Sequence, residues 1–273
     1  MNRTDTVKNF FGLAKMPFGK SVGVNELFHS SSFEEACARL DMAIENEDVV
    51  LLTGAVGSGK SSVVRHFCHN LDPNGYKSVY IAADSFKIGE IAKRALMGLQ
   101  AEVPYSGSLA LSRLQQLIIK LNHEKSIMPV LIVDEIQELP TTTLVSLKNL
   151  LNYNMDSETL LFLILCGQNS IHETLDYPCL EALNRRIRIR CNLGGLSLEE
   201  TSTYISRQMK LCGVEQSVFT DDTKAAIFQH SKGILSTINA ICFESLICAA
   251  ANDKDIIEPS VLEVVLQNRH SKE

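Results

Sequence analysis

The run Val49-Val50-Leu51-Leu52-Thr53-Gly54-Ala55-Val56-Gly57-Ser58-Gly59-Lys60-Ser61 decides the fold of this chain. Its last eight residues spell G-x-x-x-x-G-K-[ST], the phosphate-binding P-loop pattern. An apolar, strand-like run enters the pattern, and Ser62-Val63-Val64-Arg65-His66-Phe67 leaves it with helical spacing. Strand, glycine-rich turn and helix form the context in which the motif carries meaning; a chance turn has no reason to possess both flanks. The glycines allow positive φ and close backbone approach, so successive N–H groups point at phosphate oxygens. The helix start adds partial positive charge. The nucleotide-binding stretch is therefore Gly54, Ala55, Val56, Gly57, Ser58, Gly59, Lys60, Ser61 and Ser62. In this pattern the lysine, Lys60, reaches the β- and γ-phosphates, and the Ser61 hydroxyl ligates Mg2+. ATP with Mg2+ is the expected ligand.

Downstream, Val130-Leu131-Ile132-Val133-Asp134-Glu135 is an apolar strand pattern ending in two carboxylates, as in Walker B. Strand ends of a parallel sheet face the ligand crevice. Asp134 is expected to hold Mg2+, directly or through water, and Glu135 to polarise the attacking water. A polar residue at the end of the next strand commonly orients that water. Here Leu160–Leu165 leads into Cys166-Gly167-Gln168-Asn169, and Gln168 is the first choice for this role, with Asn169 second. The strongest basic cluster is Leu183-Asn184-Arg185-Arg186-Ile187-Arg188-Ile189-Arg190. Arg188 and Arg190 alternate with isoleucines, as on a strand with one polar face. Arg185 and Arg186 precede it. Two readings fit this cluster: an arginine given across a subunit interface to phosphate, or a solvated basic edge strand.

Further out, apolar runs at 49–52, 78–82, 130–133 and 160–165 alternate with helical patterns at 61–71, 87–100, 109–123 and 141–154. Ile187–Cys191 is a candidate fifth strand. Continuous apolar strands between helices predict a parallel sheet covered on both faces. Before it, Ser31-Ser32 and Phe33 to Ile44 read as a Ser-capped helix with apolar 3–4 spacing. The preceding Phe10-Phe11-Gly12-Leu13 and Met16-Pro17-Phe18 are aromatic and turn-rich. After Gly194-Gly195 only helical patterns remain, at 197–212, 220–232, 234–251 and 259–269. The expected fold class is α/β: a three-layer αβα parallel sheet of the P-loop NTPase kind, with a small C-terminal helical lid. The expected division is an N-terminal element over 1–45 packed on the core, a nucleotide-binding domain over 46–193 and the lid over 194–273.

The 273 residues suffice for one large or two smaller domains. With 45% hydrophobic and 21% charged residues, the chain is an ordinary globular one and not a disordered one. The net charge of −6 argues against a generally basic coat for nucleic acid. A local basic surface is still compatible with it, because binding follows charge placement. The eight cysteines contain no C-x-x-C pair and no His/Cys cluster with zinc spacing, so free buried thiols in a reducing compartment are expected. The N-terminus shows no signal-peptide core, and no apolar run approaches the ~20 residues that cross a bilayer. A cytoplasmic protein with no membrane contact is the expectation.

With these motifs quoted, the sequence resembles the AAA+ ATPases, and more narrowly the ExeA/GspA-like group that includes ATPase subunits of transposition systems (the MuB, TnsC and TniB class). The resemblance covers nearly the whole chain. It rests on Phe10-Phe11-Gly12-Leu13 with Met16-Pro17-Phe18, on Glu35-Ala36 with Ala38-Arg39-Leu40, and on the two Walker segments through Ile136-Gln137. It continues through Cys166-Gly167-Gln168, Asn184-Arg185-Arg186-Ile187 and Ser231-Lys232-Gly233. The aromatic N-terminal element is the part most particular to the group. The resemblance implies ATP bound between subunits of a ring or filament, the aromatic element near the adenine, and a neighbour's arginine on the γ-phosphate. Arg186 matches that arginine best and Arg185 next. One departure stands out. Family members often place Pro-Arg after the small-domain glycine, but Gly233 is followed by Ile234-Leu235-Ser236-Thr237-Ile238-Asn239. Its loss implies slow hydrolysis or an assembly held together by ATP.

The function expected from this resemblance is a regulator that oligomerises on duplex DNA with ATP, recruits or activates a transposase or integrase, and disassembles on hydrolysis. Phosphate contacts by cations would give salt-dependent affinity with little sequence preference. Lys87, Lys93 and Arg94 are the candidate DNA contacts, with Lys120 and Lys148 weaker ones; a solvated helix face explains the same residues. No helix-turn-helix or zinc-finger pattern is present to read bases. The alternatives are a secretion-type ATPase acting on a protein assembly, which would be expected to continue into a membrane segment, and a scaffold with little hydrolysis. A small-molecule kinase ranks last, because Arg207 and Arg269 lie far apart where a lid would cluster arginines.

Overall fold

Five apolar runs form the strands of one parallel sheet: β1 (Val49–Gly54), β2 (Tyr76–Ala82), β3 (Met128–Asp134), β4 (Phe162–Gly167) and β5 (Ile187–Leu193). They are seen in a computed structural model that describes residues 3–19, 22–46 and 49–270. The spatial order is β2-β3-β4-β1-β5, and every pairing is parallel. All residues of β1 and β4 are buried, as unalternating apolar strands require when both sheet faces are covered. The edge strand β2 instead alternates, exposing Ser78, Tyr80 and Ala82.

The other edge, β5, departs from its sequence reading. Val49 pairs with Ile187 but Val50 pairs with Ile189, so Arg188 is an extra residue at a bulge. A one-residue shift moves every later side chain to the opposite face. Arg190 thus falls on the face of Ile187, and the expected shared face of Arg188 and Arg190 is lost. Arg39 donates from its guanidinium to the Arg190 carbonyl at 3.0 Å, blunting this edge.

The helices are α1 (Arg3–Phe11), α2 (Ser31–Asn46), α3 (Lys60–Asn70), α4 (Ile88–Gly98), α5 (Gly107–Lys125), α6 (Thr141–Leu147), α7 (Ile171–Leu175), α8 (Glu181–Arg186), α9 (Leu198–Lys210), α10 (Asp221–Ser231), α11 (Leu235–Ala251) and α12 (Pro259–His270). The pattern at 141–154 does not make one helix: α6 stops at Leu147 and tighter 3-10 turns follow. Two helical stretches were not anticipated, α1 and the short pair α7–α8.

Contacts divide the chain into two units. One comprises Phe33–Ala55 and Lys60–Leu193; the other comprises Met1–Ser32, Val56–Gly59 and Gly194–Glu273. The first holds the sheet, with a core that includes Leu51, Ile91, Leu114, Leu131, Val133 and Leu163, all buried. Each such side chain contributes roughly 1.5–3 kcal/mol on burial. The second is helical. Ser197 and Glu200 form a capping box that starts α9, and Thr220 accepts the Thr223 N–H to start α10. The N-terminal boundary falls at 32/33, not at 45/46. Val7, Leu13 and Phe18 are buried in the helical unit's core, where Phe18 meets Phe219 edge-to-face at 6.1 Å. All eight cysteines are free. Among the described residues no helix is long and apolar enough to cross a membrane.

Candidate active site

The two motifs meet at the carboxyl ends of the strands. β1 ends at Gly54, and α3 begins at Lys60, so the P-loop is the turn between them. Gly57 and Gly59 take φ of 78° and 108°, conformations open to glycine and strained for other residues. Lys60 is 7% exposed, and its Nζ donates to the carbonyls of Gly54 at 3.0 Å and Ala55 at 3.1 Å. The cation thus folds back over its own loop. Ser58 is buried too, and its Oγ has no hydrogen-bond partner. An orphaned buried hydroxyl is costly unless something fills the loop.

Asp134 ends β3, two strands from β1. It is 5% exposed. One carboxylate oxygen accepts the Glu135 N–H at 2.9 Å, and the other accepts the Tyr80 hydroxyl at 2.7 Å and lies 3.5 Å from Ser61 Oγ. The Ser61 hydroxyl and the Asp134 carboxylate, side by side, are hard oxygen donors that fit Mg2+ carried in with phosphate. No group of three or more His, Cys, Asp or Glu able to hold a metal occurs among the described residues. Burial pushes the Tyr80 phenol up, and its bond to Asp134 pushes it further, so Tyr80 stays a donor.

Glu135 turns the chain sharply out of β3 with φ 56° and ψ 41°. Its Oε2 accepts the Gln137 amide at 2.5 Å, and Gln137 Oε1 accepts the Gln168 backbone N–H at 3.1 Å. Gln168 is thus linked to Glu135 through Gln137, and the link uses its backbone N–H. On β1, Thr53 Oγ1 contacts His172 Nε2 at 3.2 Å. Burial pushes the Cys166 thiol well up, which leaves it protonated and no nucleophile.

Arg185 and Arg186 are elsewhere. They end α8 just before Ile187, which pairs with Val49 at the amino end of β1. The P-loop leaves the other end of that strand, on the order of 16 Å away at roughly 3.3 Å per residue. Arg185 is exposed and paired with Glu181 at 2.6 Å. Arg185, Arg186 and Arg188 line a polar cleft of about 610 Å³ together with Lys148 and Asn152. Of the candidate DNA contacts, Lys87 is exposed just before α4, Lys93 pairs with Glu90 at 3.0 Å, and Arg94 stacks 4.2 Å over Phe86. Two of the three are thus engaged locally. Lys120 lies 3.8 Å from Glu124.

Sequence reasoning missed Tyr80 and the bridging role of Gln137. The signal for Gln137 was its place two residues past Glu135. For Tyr80 it was visible only through the β2–β3 register, which sets Ala82 beside Asp134.

The chain is similar to known proteins in sequence and in fold. Residues 43–175 match the AAA domain family. The chain is 32% identical over 249 residues to general secretion pathway protein A of Aeromonas hydrophila, covering 89% of this chain and 44% of that protein. It therefore spans less than half the length of that relative. Among solved structures, Cdc6p from Pyrobaculum aerophilum is similar at a TM-score of 0.72 and 17% identity, covering 92% of this chain and 70% of that one. Drosophila ORC bound to DNA is similar at 0.66 and 13% identity, covering 97% and 65%. At such identities the likeness is one of fold. Residues 43–175 thus match the AAA domain family, and the chain as a whole has the α/β fold of the P-loop nucleotide-binding proteins.

Proposed function

We propose that the chain hydrolyses ATP at an interface between copies of itself and uses the resulting assembly to act on a macromolecular partner. The observation that carries this reading is the separation of the arginines from the P-loop along β1. Arg185 and Arg186 cannot reach the chain's own phosphates, and Lys60 is the cation held at the loop. A second copy would supply the missing charge, Arg186 first and Arg185 next.

In this reading the P-loop from Gly54 to Ser62 binds the triphosphate. Lys60 releases its carbonyl partners to reach the β- and γ-oxygens. Ser61 and Asp134 would hold Mg2+, which neutralises charge on those oxygens when bound. Glu135 orients and polarises the attacking water, and Gln168 steadies it from the tip of β4. The attack is in line, and the arginine from the adjacent copy stabilises charge on the transferred group.

The partner we propose is duplex DNA, with a transposase or integrase recruited to the assembly. Exposed Lys87 at the start of α4 is the best placed of the candidate contacts, and Lys93 and Arg94 would have to leave their local partners. A second reading, a secretion-type ATPase that works on a protein assembly, is favoured by the 32% identity to general secretion pathway protein A. One experiment separates them: ATP turnover and particle size with and without duplex DNA, at two salt concentrations, with Glu135→Gln as control. DNA-stimulated turnover with salt-sensitive particles supports the DNA reading. Turnover and assembly indifferent to DNA sink it and leave the protein-directed motor.

A further inference from the structure

Gln137 joins the two strand tips that carry the proposed chemistry. Its amide nitrogen donates to Glu135 Oε2 at 2.5 Å, and its amide oxygen accepts the backbone N–H of Gln168 at 3.1 Å. Both ends of one side chain are therefore used, each in the orientation its chemistry demands. The site is also shaped for it. A Cβ on Gly167 would lie 3.0 Å from Gln137 Oε1 and 2.9 Å from Ile136 Cγ1, so the glycine at the end of β4 leaves room for the amide. The 3-10 turn Ile136–Glu138 anchors Gln137 from beneath, with Ile136 fully buried.

We infer that Gln137 is a positioning residue: it holds the Glu135 carboxylate in its water-activating orientation and ties that orientation to the tip of β4. This rests on the hydrolytic reading of Glu135. The Glu135 side chain has rotatable bonds, and among the described residues Gln137 is the partner that restrains its carboxylate. One fixed oxygen orients the other. Because the far end of Gln137 rests on the backbone of Gln168, movement of the segment after β4 passes to Glu135 through a single side chain.

The test compares Gln137→Met and Gln137→Glu with the parent chain. Methionine fills nearly the same volume but makes neither bond. Glutamate retains an acceptor for the Gln168 N–H and loses the donor to Glu135. If Gln137 positions Glu135, both variants lose about ten- to a hundredfold in kcat with KM and thermal midpoint unchanged. A role in packing alone predicts that methionine restores kcat, and that result overturns the inference. So does parental kcat in Gln137→Glu. A parental chain without turnover would refute the hydrolytic reading, and the bridge is then judged from the Gln137 side-chain amide signals in nitrogen-15 NMR. Those signals shift in Glu135→Ala if the bond exists in solution. Unshifted signals overturn it.

Discussion

At the scale of single residues, the site holds one buried cation, Lys60, and one buried carboxylate, Asp134, with Glu135 half-buried beside Asp134 in the chain. Lys60 has its long stem buried and its ammonium on two carbonyls, an arrangement that costs desolvation and offers neutral acceptors but no counter-charge. A triphosphate is a far better partner for it. Lys60→Met, which keeps the stem and removes the charge, is expected to weaken ATP binding at least tenfold, as measured by fluorescent-nucleotide titration, with little change in thermal midpoint. Unchanged affinity would remove Lys60 from the phosphate site. Glu135 behaves oppositely. Its carboxylate is proposed to act on water and not to hold nucleotide, so Glu135→Gln should retain ATP affinity and lose about 10²- to 10⁴-fold in turnover. Comparable turnover in that variant would move the base elsewhere. Lys60, Ser61, Asp134 and Glu135 could be nominated from the sequence because each sits at a fixed offset within one of two motifs, the P-loop or the acidic strand end. Gln137 and Tyr80 were not, because what matters about them is a contact from one strand tip to another, and sequence distance says nothing of that until the strand order is known.

At the scale of elements, the α4–α5 pair shows why some helices are placed so closely. Gly89, in the first turn of α4, meets Gly107, the first residue of α5, backbone to backbone. A Cβ on Gly89 would lie 2.6 Å from Gly107 Cα, whereas one on Gly107 would lie 3.2 Å from Gly89 Cα. Alanine improves helix propensity by about 1 kcal/mol in a helix interior and by less in a first turn such as these. Overlap with backbone should outweigh that gain only at Gly89, where no flexible side-chain end can give way. Gly89→Ala is therefore expected to destabilise the chain by about 1–3 kcal/mol, and Gly107→Ala to have a smaller effect, both read from urea midpoints. Equal effects would show that the helices slide apart freely. The same scale marks where sequence reading failed. The strands were legible because unbroken apolar runs have few alternative uses. α1 was not, because its aromatic and turn-like neighbours hid a short helix whose order comes from Val7 packing in a tertiary core. β5 was expected to alternate, and a bulge at Arg188 that no periodicity announces broke the alternation.

At the scale of the whole molecule, the sheet is a ruler with unlike ends. The phosphate loop, Asp134 and Glu135 gather at the carboxyl ends of its strands, and Arg185 and Arg186 precede the amino end of β5. A single chain cannot close that gap without unzipping β5 from β1. Two chains can, if the amino-end cleft of one faces the carboxyl-end loop of the next. Such a contact is head-to-tail, so it propagates into a ring or filament and does not stop at a symmetric pair. A specific consequence follows for mixed assemblies. Arg186→Ala keeps an intact P-loop and lacks the donated arginine; Lys60→Met keeps the arginine and lacks the loop cation. Each alone is expected to be nearly inactive. Mixed together, they create interfaces in which an intact loop faces an intact arginine, and turnover should reappear in the mixture, rising with protein concentration as assembly does. If the mixture is as inactive as its parts under conditions where both variants co-assemble by light scattering, the arginine does not act between chains. The basic segment at β5 is then a solvated edge, and the cation that completes the phosphate site must come from another surface.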